Sequence, residues 1–319
     1  MYCSHCYREA GAKKEDELNT IEAKAMLEEI SKAGFKIMIF SGGEPMMRED
    51  IVELVAYAKK LGLRPVFGTN GTLITPQLAR ELKQAGTMGV GISLDSLDPA
   101  KHDNLRQFEG AWEGAVRGMR YCKEAGLGFQ IHTTVFDWNR DEVTRITDFA
   151  AELGAQAHHI FFLVPTGRAV NIEEESLRAE QYEELITEIM KKQQQVDIEI
   201  KPTCAPQFMR IGKQLGMELR FGRGCLAGIS YCIVGPTGDV QPCAYLNIAA
   251  GNVKETPFTT IWQESEIFKN LRTLDYKGDC GTCGYRQVCG GCRARAYYYH
   301  DGDYMGEEPW CLYHGRRGS

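Results

Sequence analysis

The sequence predicts an α/β fold built on a parallel sheet, followed by a smaller cysteine-rich domain. Three observations carry that reading. Between Asn19 and Gln193, short apolar runs alternate with segments of helical apolar period, the pattern of βαβ units. Polar, glycine-bearing stretches follow the strand-like runs, at the carboxyl ends where such sheets collect their chemistry. Of twelve cysteines, eight fall between Cys225 and Cys311.

The elements run in order. A helix follows Asn19-Thr20, with apolar Ile21, Ala25, Met26, Ile30 and Ala33. The run IMIF between Lys36 and Ser41 is a buried strand. Then come helix 51–61, strand 64–67, helix 77–85, strand 88–94, helix 111–125, strand 129–135, helix 141–153, strand 159–164 and helix 180–193. These are five strands; a sixth is expected just before Met1, which would place Cys3 and Cys6 in the loop after it. The punctuation is SGGEP after the first strand, GTNGT after the second, SLDS at the end of the third, HTTV in the fourth and LVPTGRA after the fifth. Beyond Val196 glycine, proline, cysteine and aromatics rise, and the helical period fades after about Gly216. The expected division is residues 1–195, a connector over 196–219, and a second domain over 220–319.

At 319 residues the chain suits one large domain and a smaller one. Its 43% hydrophobic and 25% charged residues are those of an ordinary globular protein. A net charge of −6, with Lys and Arg dispersed, lacks the basic footprint of a nucleic-acid binder. No apolar run approaches the roughly 20 residues that span a bilayer, and there is no secretory signal, so no membrane partner and a cytoplasmic location are expected. In that reducing compartment cysteines read as metal ligands or catalysts.

Cys3-Ser4-His5-Cys6 alone is a weak signal. With SGGEP about 35 residues on, at the end of the next strand, it resembles the radical S-adenosylmethionine (radical SAM) enzymes, whose signature is C-x-x-x-C-x-aromatic-C after the first strand. That resemblance implies an open partial (β/α)6 barrel with its first strand missing from this chain. Three thiolates would hold a 4Fe–4S cluster whose fourth iron binds S-adenosylmethionine (AdoMet). Cys3 and Cys6 match the second and third cysteines and His5 the aromatic position. The first cysteine would lie before Met1, so the chain as it stands is expected to hold its cluster poorly and not to cleave AdoMet. By resemblance Gly42, Gly43 and Glu44 meet the AdoMet ammonium, and Asn70 and Ser93 bond its ribose or carboxylate. Thr133 or Thr134 adds a polar contact, and residues 164–168, from Val164 on, frame the adenine. Each also has a bland reading: GGEP as a turn, Asn70-Gly71 as a turn, the two threonines as strand residues.

The later cysteines follow a longer pattern. Cys225 and Gly238 have twelve residues between them, Gly238 and Cys243 four; Cys280-x2-Cys283-x5-Cys289-x2-Cys292 and Cys311 follow. This resembles the SPASM auxiliary-cluster domain, with one residue fewer than its commonest spacing between Cys289 and Cys292. The resemblance implies one or two auxiliary 4Fe–4S clusters: Cys225, Cys232, Cys243 and Cys292 around one, Cys280, Cys283, Cys289 and Cys311 around the other. An all-cysteine zinc site has the same look. SHCYREAG, GISLDSLDPAKHD, HHIFFLVPTGRA, RGCLAGISYC and the stretch from Val288 to Cys311 further resemble the haem-biosynthesis group of radical SAM/SPASM proteins (NirJ, AhbC, AhbD), nearest to the AhbD-like haem b synthases.

The activity this implies is oxidative decarboxylation of two propionates of iron-coproporphyrin III to vinyls. A hydrogen atom is taken from a propionate β-carbon, and CO2 and an electron leave. The implied partners are an iron tetrapyrrole and a flavodoxin- or ferredoxin-type electron donor. Arg168 and Arg210 are the candidates for the substrate carboxylates; Arg293 and Arg295 are more suited to the cluster region. His158 and His159 are conceivable iron ligands. Cys204 is read as a functional thiol near the substrate or a buried apolar cysteine, and Cys122 as core. Tyr297–Tyr299 read as packing around the cluster or as lining a porphyrin face, and Glu173–Ser176 as a solvated loop or helix start. Three alternatives stand beside this: side-chain removal on a siroheme-derived precursor, as in the AhbC and NirJ branches; a peptide-modifying SPASM maturase; and a non-enzymatic cluster- or tetrapyrrole-binding protein.

Overall fold

The computed structural model describes residues 1–313. Local signals set the helix boundaries. Asn19 caps α1 (Thr20–Lys32): its side chain accepts from the Ile21 and Glu22 N–H groups at 2.9 and 3.0 Å, and Glu22 accepts from Asn19 N–H at 2.9 Å. Ala23, Leu27 and Ile30 form the buried face of α1. Further along come α2 (Ile51–Lys60), α3 (Pro76–Ala85), α4 (Pro99–Arg106), α5 (Ala111–Glu124), α6 (Val143–Leu153) and α7 (Ala179–Gln193). The expectation had no counterpart for α4, which is short and mostly polar.

Six strands, β1 (Ile37–Phe40), β2 (Arg64–Thr69), β3 (Gly89–Ser93), β4 (Phe129–Val135), β5 (Ala157–Phe162) and β6 (Glu199–Thr203), pair in chain order, all parallel. The sheet curls into a half-barrel with helices outside, the partial radical SAM barrel. Side chains alternate between its faces. Phe129, Ile131, Thr133 and Val135 of β4 go outward and are buried; Gln130, His132 and Thr134 line the concave side. In register across β5 and β6, His159 and Lys201 share that concave face.

β6 lies beyond the five strands that the apolar runs predict. Its sequence EIKPT carries two charges and Pro202, which argue against a central strand. β6 lies at the sheet's edge, where a proline costs no ladder bond and charges are tolerated. The sheet therefore runs past residue 195 into the stretch expected as a connector.

The rest of the chain adds α8 (Phe208–Gln214), a small antiparallel sheet of β7 (Ile233–Val234), β8 (Asp239–Gln241) and β9 (Gly251–Asn252), and helices α9 (Phe258–Glu264), α10 (Glu266–Thr273), α11 (Gly278–Thr282) and α12 (Arg293–Tyr299). This part shares the main core: Val240, Phe258, Ile261 and Phe268 sit in one apolar cluster with Leu27, Phe40 and Val55. The Phe35 ring meets those of Phe258 and Trp262 at 5.7 and 4.9 Å. Cys122 is fully buried in that cluster, as expected. No helix among the described residues is long and apolar enough to cross a membrane.

His158 faces the helix layer, with its two ring nitrogens 2.9 Å from Thr147 Oγ1 and 2.8 Å from Thr133 Oγ1. Burial lowers its pKa to about 3, so it is neutral where an exposed histidine is charged. Between pH 6.5 and 3 the unfolded chain binds the proton that the folded chain refuses. Stability from this site is complete above pH 6.5 and falls as the pH drops toward 3. Thermal melts at successive pH values should show that decline, and His158→Asn should make it shallower.

Candidate active site and cluster-binding thiols

The N-terminal loop lies over the carboxyl end of the sheet. Ser4 N–H donates to Leu105 O at 3.0 Å and Cys6 N–H to Cys3 O at 3.2 Å. Arg168, in the loop after β5, holds it from the other side. Its backbone N–H donates to Cys6 O (3.1 Å), its Nε to Cys3 O (2.8 Å) and its Nη1 to Ala10 O (2.9 Å). The guanidinium also covers the Tyr2 ring at 3.9 Å. The two loops touch because residue 167 is glycine: φ is +60°, and a Cβ there would fall 2.6 Å from Cys6 O. The Cys6 sulfur accepts Ala10 N–H at 3.4 Å.

Cys3 hydrogen-bonds to Arg106, which pairs with Asp95 at 2.6 Å just beyond β3. Burial opposes ionisation of Asp95, but Arg106, His102 and His5 outweigh it and hold the carboxyl well below the usual range. A buried cation therefore stands beside the Cys3 sulfur. The His5 ring meets Phe136 edge-on at 5.8 Å. Burial, with Arg106 adding to it, lowers His5 to about 3.

Glu44 joins the ends of β1 and β2. Its carboxylate accepts from Thr69 Oγ1 (2.6 Å), Met46 N–H (3.1 Å) and Asn70 N–H (3.0 Å), and burial raises its pKa. Asn70 Oδ1 closes a turn by accepting from Thr72 N–H and Oγ1 at 2.9 and 2.7 Å. Gly42 leaves open space beside it, and Gly43 packs against Ala10 of the cysteine loop. Gly42, Gly43, Glu44, Asn70, Cys3, Cys6 and His5 thus gather at one rim, with Ser93 closing β3 on the concave face.

Several expected contacts are directed elsewhere. Thr133 faces outward, its hydroxyl donating to Leu94 O at 2.7 Å; Thr134 is the one on the concave side. Val164 is fully buried against Leu246 and Cys292 rather than open to a ligand. Arg210 makes a two-pronged pair with Glu183 at 3.0 and 2.6 Å, beside the cysteine domain, so its charge is already met. Arg168 serves the cysteine loop rather than a free carboxylate. Glu173 and Glu175, expected as solvated, accept from Tyr298 OH (2.7 Å) and Trp138 Nε1 (2.9 Å).

The C-terminal thiols form two groups. Cys280, Cys283, Cys289 and Cys311 line a cavity of about 110 Å³. Glu308 N–H donates to Cys280 Sγ at 3.3 Å and Tyr285 N–H to Cys283 Sγ at 3.4 Å. Cys243 and Cys292 belong to a second apolar group, where Tyr245 N–H donates to Cys243 Sγ at 3.3 Å. Cys225 N–H donates to Cys289 O at 3.1 Å, linking the two. Burial pushes the Cys292 and Cys311 thiols up to about 11, and raises Cys243 and Cys289 as well. Such thiols ionise only when a metal takes the sulfur. Among the described residues no three His, Cys, Asp or Glu side chains close around a point as a single ion such as zinc requires.

The radical SAM superfamily model matches residues 1–150, and that of SPASM, an iron–sulfur cluster-binding domain, matches residues 225–293. The chain is 44% identical to the "AdoMet-dependent heme synthase" of Nitratidesulfovibrio vulgaris, over 99% of this chain and 90% of that protein. It is 41% identical to the protein of the same name from Methanosarcina barkeri, over 98% of this chain and 93% of that one. The chain belongs to the radical SAM superfamily. Streptococcus suis SuiB bound to S-adenosylmethionine shares the fold: TM-score 0.78 at 17% identity, covering 98% of this chain and 74% of that one.

This radical SAM enzyme uses a 4Fe–4S cluster, AdoMet and auxiliary iron–sulfur ligation. The N-terminal rim fits the first two. His5 Nδ1 and Arg168 Nη2 are buried there with no hydrogen-bond partner among the described residues, and the space beside Gly42 is open. Asp95, Arg106, His132 and Lys201 went unrecognised in the sequence. Asp95 lies just before α4 and Arg106 is its last residue, and no period announced that helix. Arg168→Ala should lower iron bound at the N-terminal loop while auxiliary iron stays; Arg168→Lys, lacking the fork, should recover little of it. Iron and sulfide counts on reconstituted protein check this. Asp95→Asn leaves Arg106 buried and unpaired, so chemical denaturation should show a loss of about 3–5 kcal/mol.

Proposed function

We propose that this enzyme converts two propionates of iron-coproporphyrin III to vinyls, yielding haem b. The observation that carries the reading is the 44% identity to a heme synthase across both domains. Cys3 and Cys6 supply thiolates to the N-terminal cluster, and the glycine loop with Glu44 and Asn70 cradles AdoMet. When bound, these groups supply a carbon-centred radical able to take a hydrogen atom from an unactivated C–H bond. The chain's own task is to position the porphyrin, balance its carboxylates and exclude water. Each conversion releases CO2 and removes one hydrogen atom and one further electron, so the substrate must be held still and dry.

The concave face has the groups for this. His132 and His159 stack with ring centroids 5.3 Å apart, and burial lowers the pKa of both, leaving neutral imidazoles suited to iron. We assign His159 to the porphyrin iron. With Arg168 and Arg210 otherwise engaged, Lys201 is the cation assigned to a propionate. Its ammonium lies over the Phe221 ring at 4.8 Å, and burial lowers its pKa against the pull of Glu199. Reductant would come from a flavodoxin- or ferredoxin-type donor.

The test is anaerobic incubation of the reconstituted full-length enzyme with AdoMet, reductant and iron-coproporphyrin III. Loss of two CO2 from the porphyrin, with 5′-deoxyadenosine formed, is the expected result; deoxyadenosine without porphyrin change would move the substrate elsewhere. Lys201→Ala should raise KM about tenfold or more, the worth of one charge-assisted bond. His159→Ala should shift the visible spectrum of the bound porphyrin.

A further inference from the structure

Cys204 is a thiol that the family pattern leaves out. It follows β6 directly and takes a left-handed backbone conformation, φ +58°, uncommon outside glycine. Its carbonyl is held by Arg295 Nη2 at 2.7 Å. Its side chain packs in the same apolar group as Cys243 and Cys292, on the barrel side of the small domain. Cys225 is brought to the same place because Gly224 presses on the turn after Cys204; a Cβ on Gly224 would fall 2.7 Å from Pro206 Cα.

Cys232, the cysteine that the SPASM pattern would put here, is elsewhere. It packs with Val234 against the main core. Cys232 stands two residues before Val234, so the strand's alternation sets both on the face that meets that core. A second observation points to a ligand. Among the described residues Arg295 Nη1 is buried with no hydrogen-bond partner, and Nη2 of the same guanidinium holds the Cys204 carbonyl. A buried guanidinium N–H without an acceptor is costly, and sulfide is an acceptor.

We infer that Cys204 is the fourth thiolate of the auxiliary cluster held by Cys225, Cys243 and Cys292, in place of Cys232. The cluster is then tied to the barrel by the loop that ends β6. With four protein thiolates it has no open iron, so it carries electrons and does not bind substrate. The inference rests on an auxiliary cluster being present and not on the identity of the porphyrin.

The test places Cys204→Ser and Cys232→Ser in full-length protein that also carries Cys3→Ala and Cys6→Ala, which removes the N-terminal cluster's signal. Iron and sulfide are counted, and the reduced cluster is examined by electron paramagnetic resonance. Serine can ligate iron, so a true ligand position keeps a cluster with an altered signal or loses one cluster's iron. Cys204→Ser should do one of these, while Cys232→Ser leaves iron content and signal as they were. Circular dichroism of the metal-free variants separates a lost ligand from a lost fold. A changed signal in Cys232→Ser with an unchanged one in Cys204→Ser overturns the assignment.

Discussion

The buried pair of Arg295 and Glu308 is the contact on which the two halves of the molecule depend. Their side chains are 0% and 1% exposed and meet at 2.8 Å. Taking two charges out of water costs several kcal/mol per ion, so such a pair persists only with further hydrogen bonds around it. Here these come from distant parts of the chain. Arg295 donates to Cys204 O and to Tyr182 OH, on either side of β6; Glu308 accepts Cys292 N–H and donates its own N–H to Cys280 Sγ. The Trp310 ring covers the guanidinium at 4.4 Å. One ion pair thereby sets the last barrel strand, the start of α12 and both thiol groups in a single register.

Arg168, beyond the end of β5, does for the N-terminal loop what Arg295 does for the loop after β6. Each is a planar donor fork reaching carbonyls of a loop that has too little regular structure to hold itself. The outcome is a concave face walled by two cysteine-bearing loops, with the histidine pair on its floor. Radical chemistry needs loops held in place, because a mobile loop admits water and misplaces the substrate.

Much of the barrel was legible because its signals are local. Apolar period gave helix positions to within a few residues, and five strands were visible as apolar runs. β6 was hidden because edge strands carry the charges and proline that central strands exclude. The two thiol-bearing regions and the glycine loop were legible from spacing. The direction of each arginine was not: Arg168 and Arg210 look like free cations in the sequence, and only their neighbours reveal that loop carbonyls and Glu183 already occupy them. Thr133 and Thr134 are adjacent, and the strand's two-residue alternation decides which faces the site.

The sequence by itself determined the class of chemistry, because thiolate spacing and a glycine turn after a strand are local and tolerate few substitutes. It determined that the strands run parallel as well, since strands joined through helices return in the same direction, while their order across the sheet came from the structure. What only the tertiary structure decided is which side chains meet. Cys204 and Cys292 are far apart in the chain, as are Arg295 and Tyr182, and no period relates them. Their approach is set by how the curled sheet and the small domain share one core, and that packing belongs to the whole chain rather than to any segment of it.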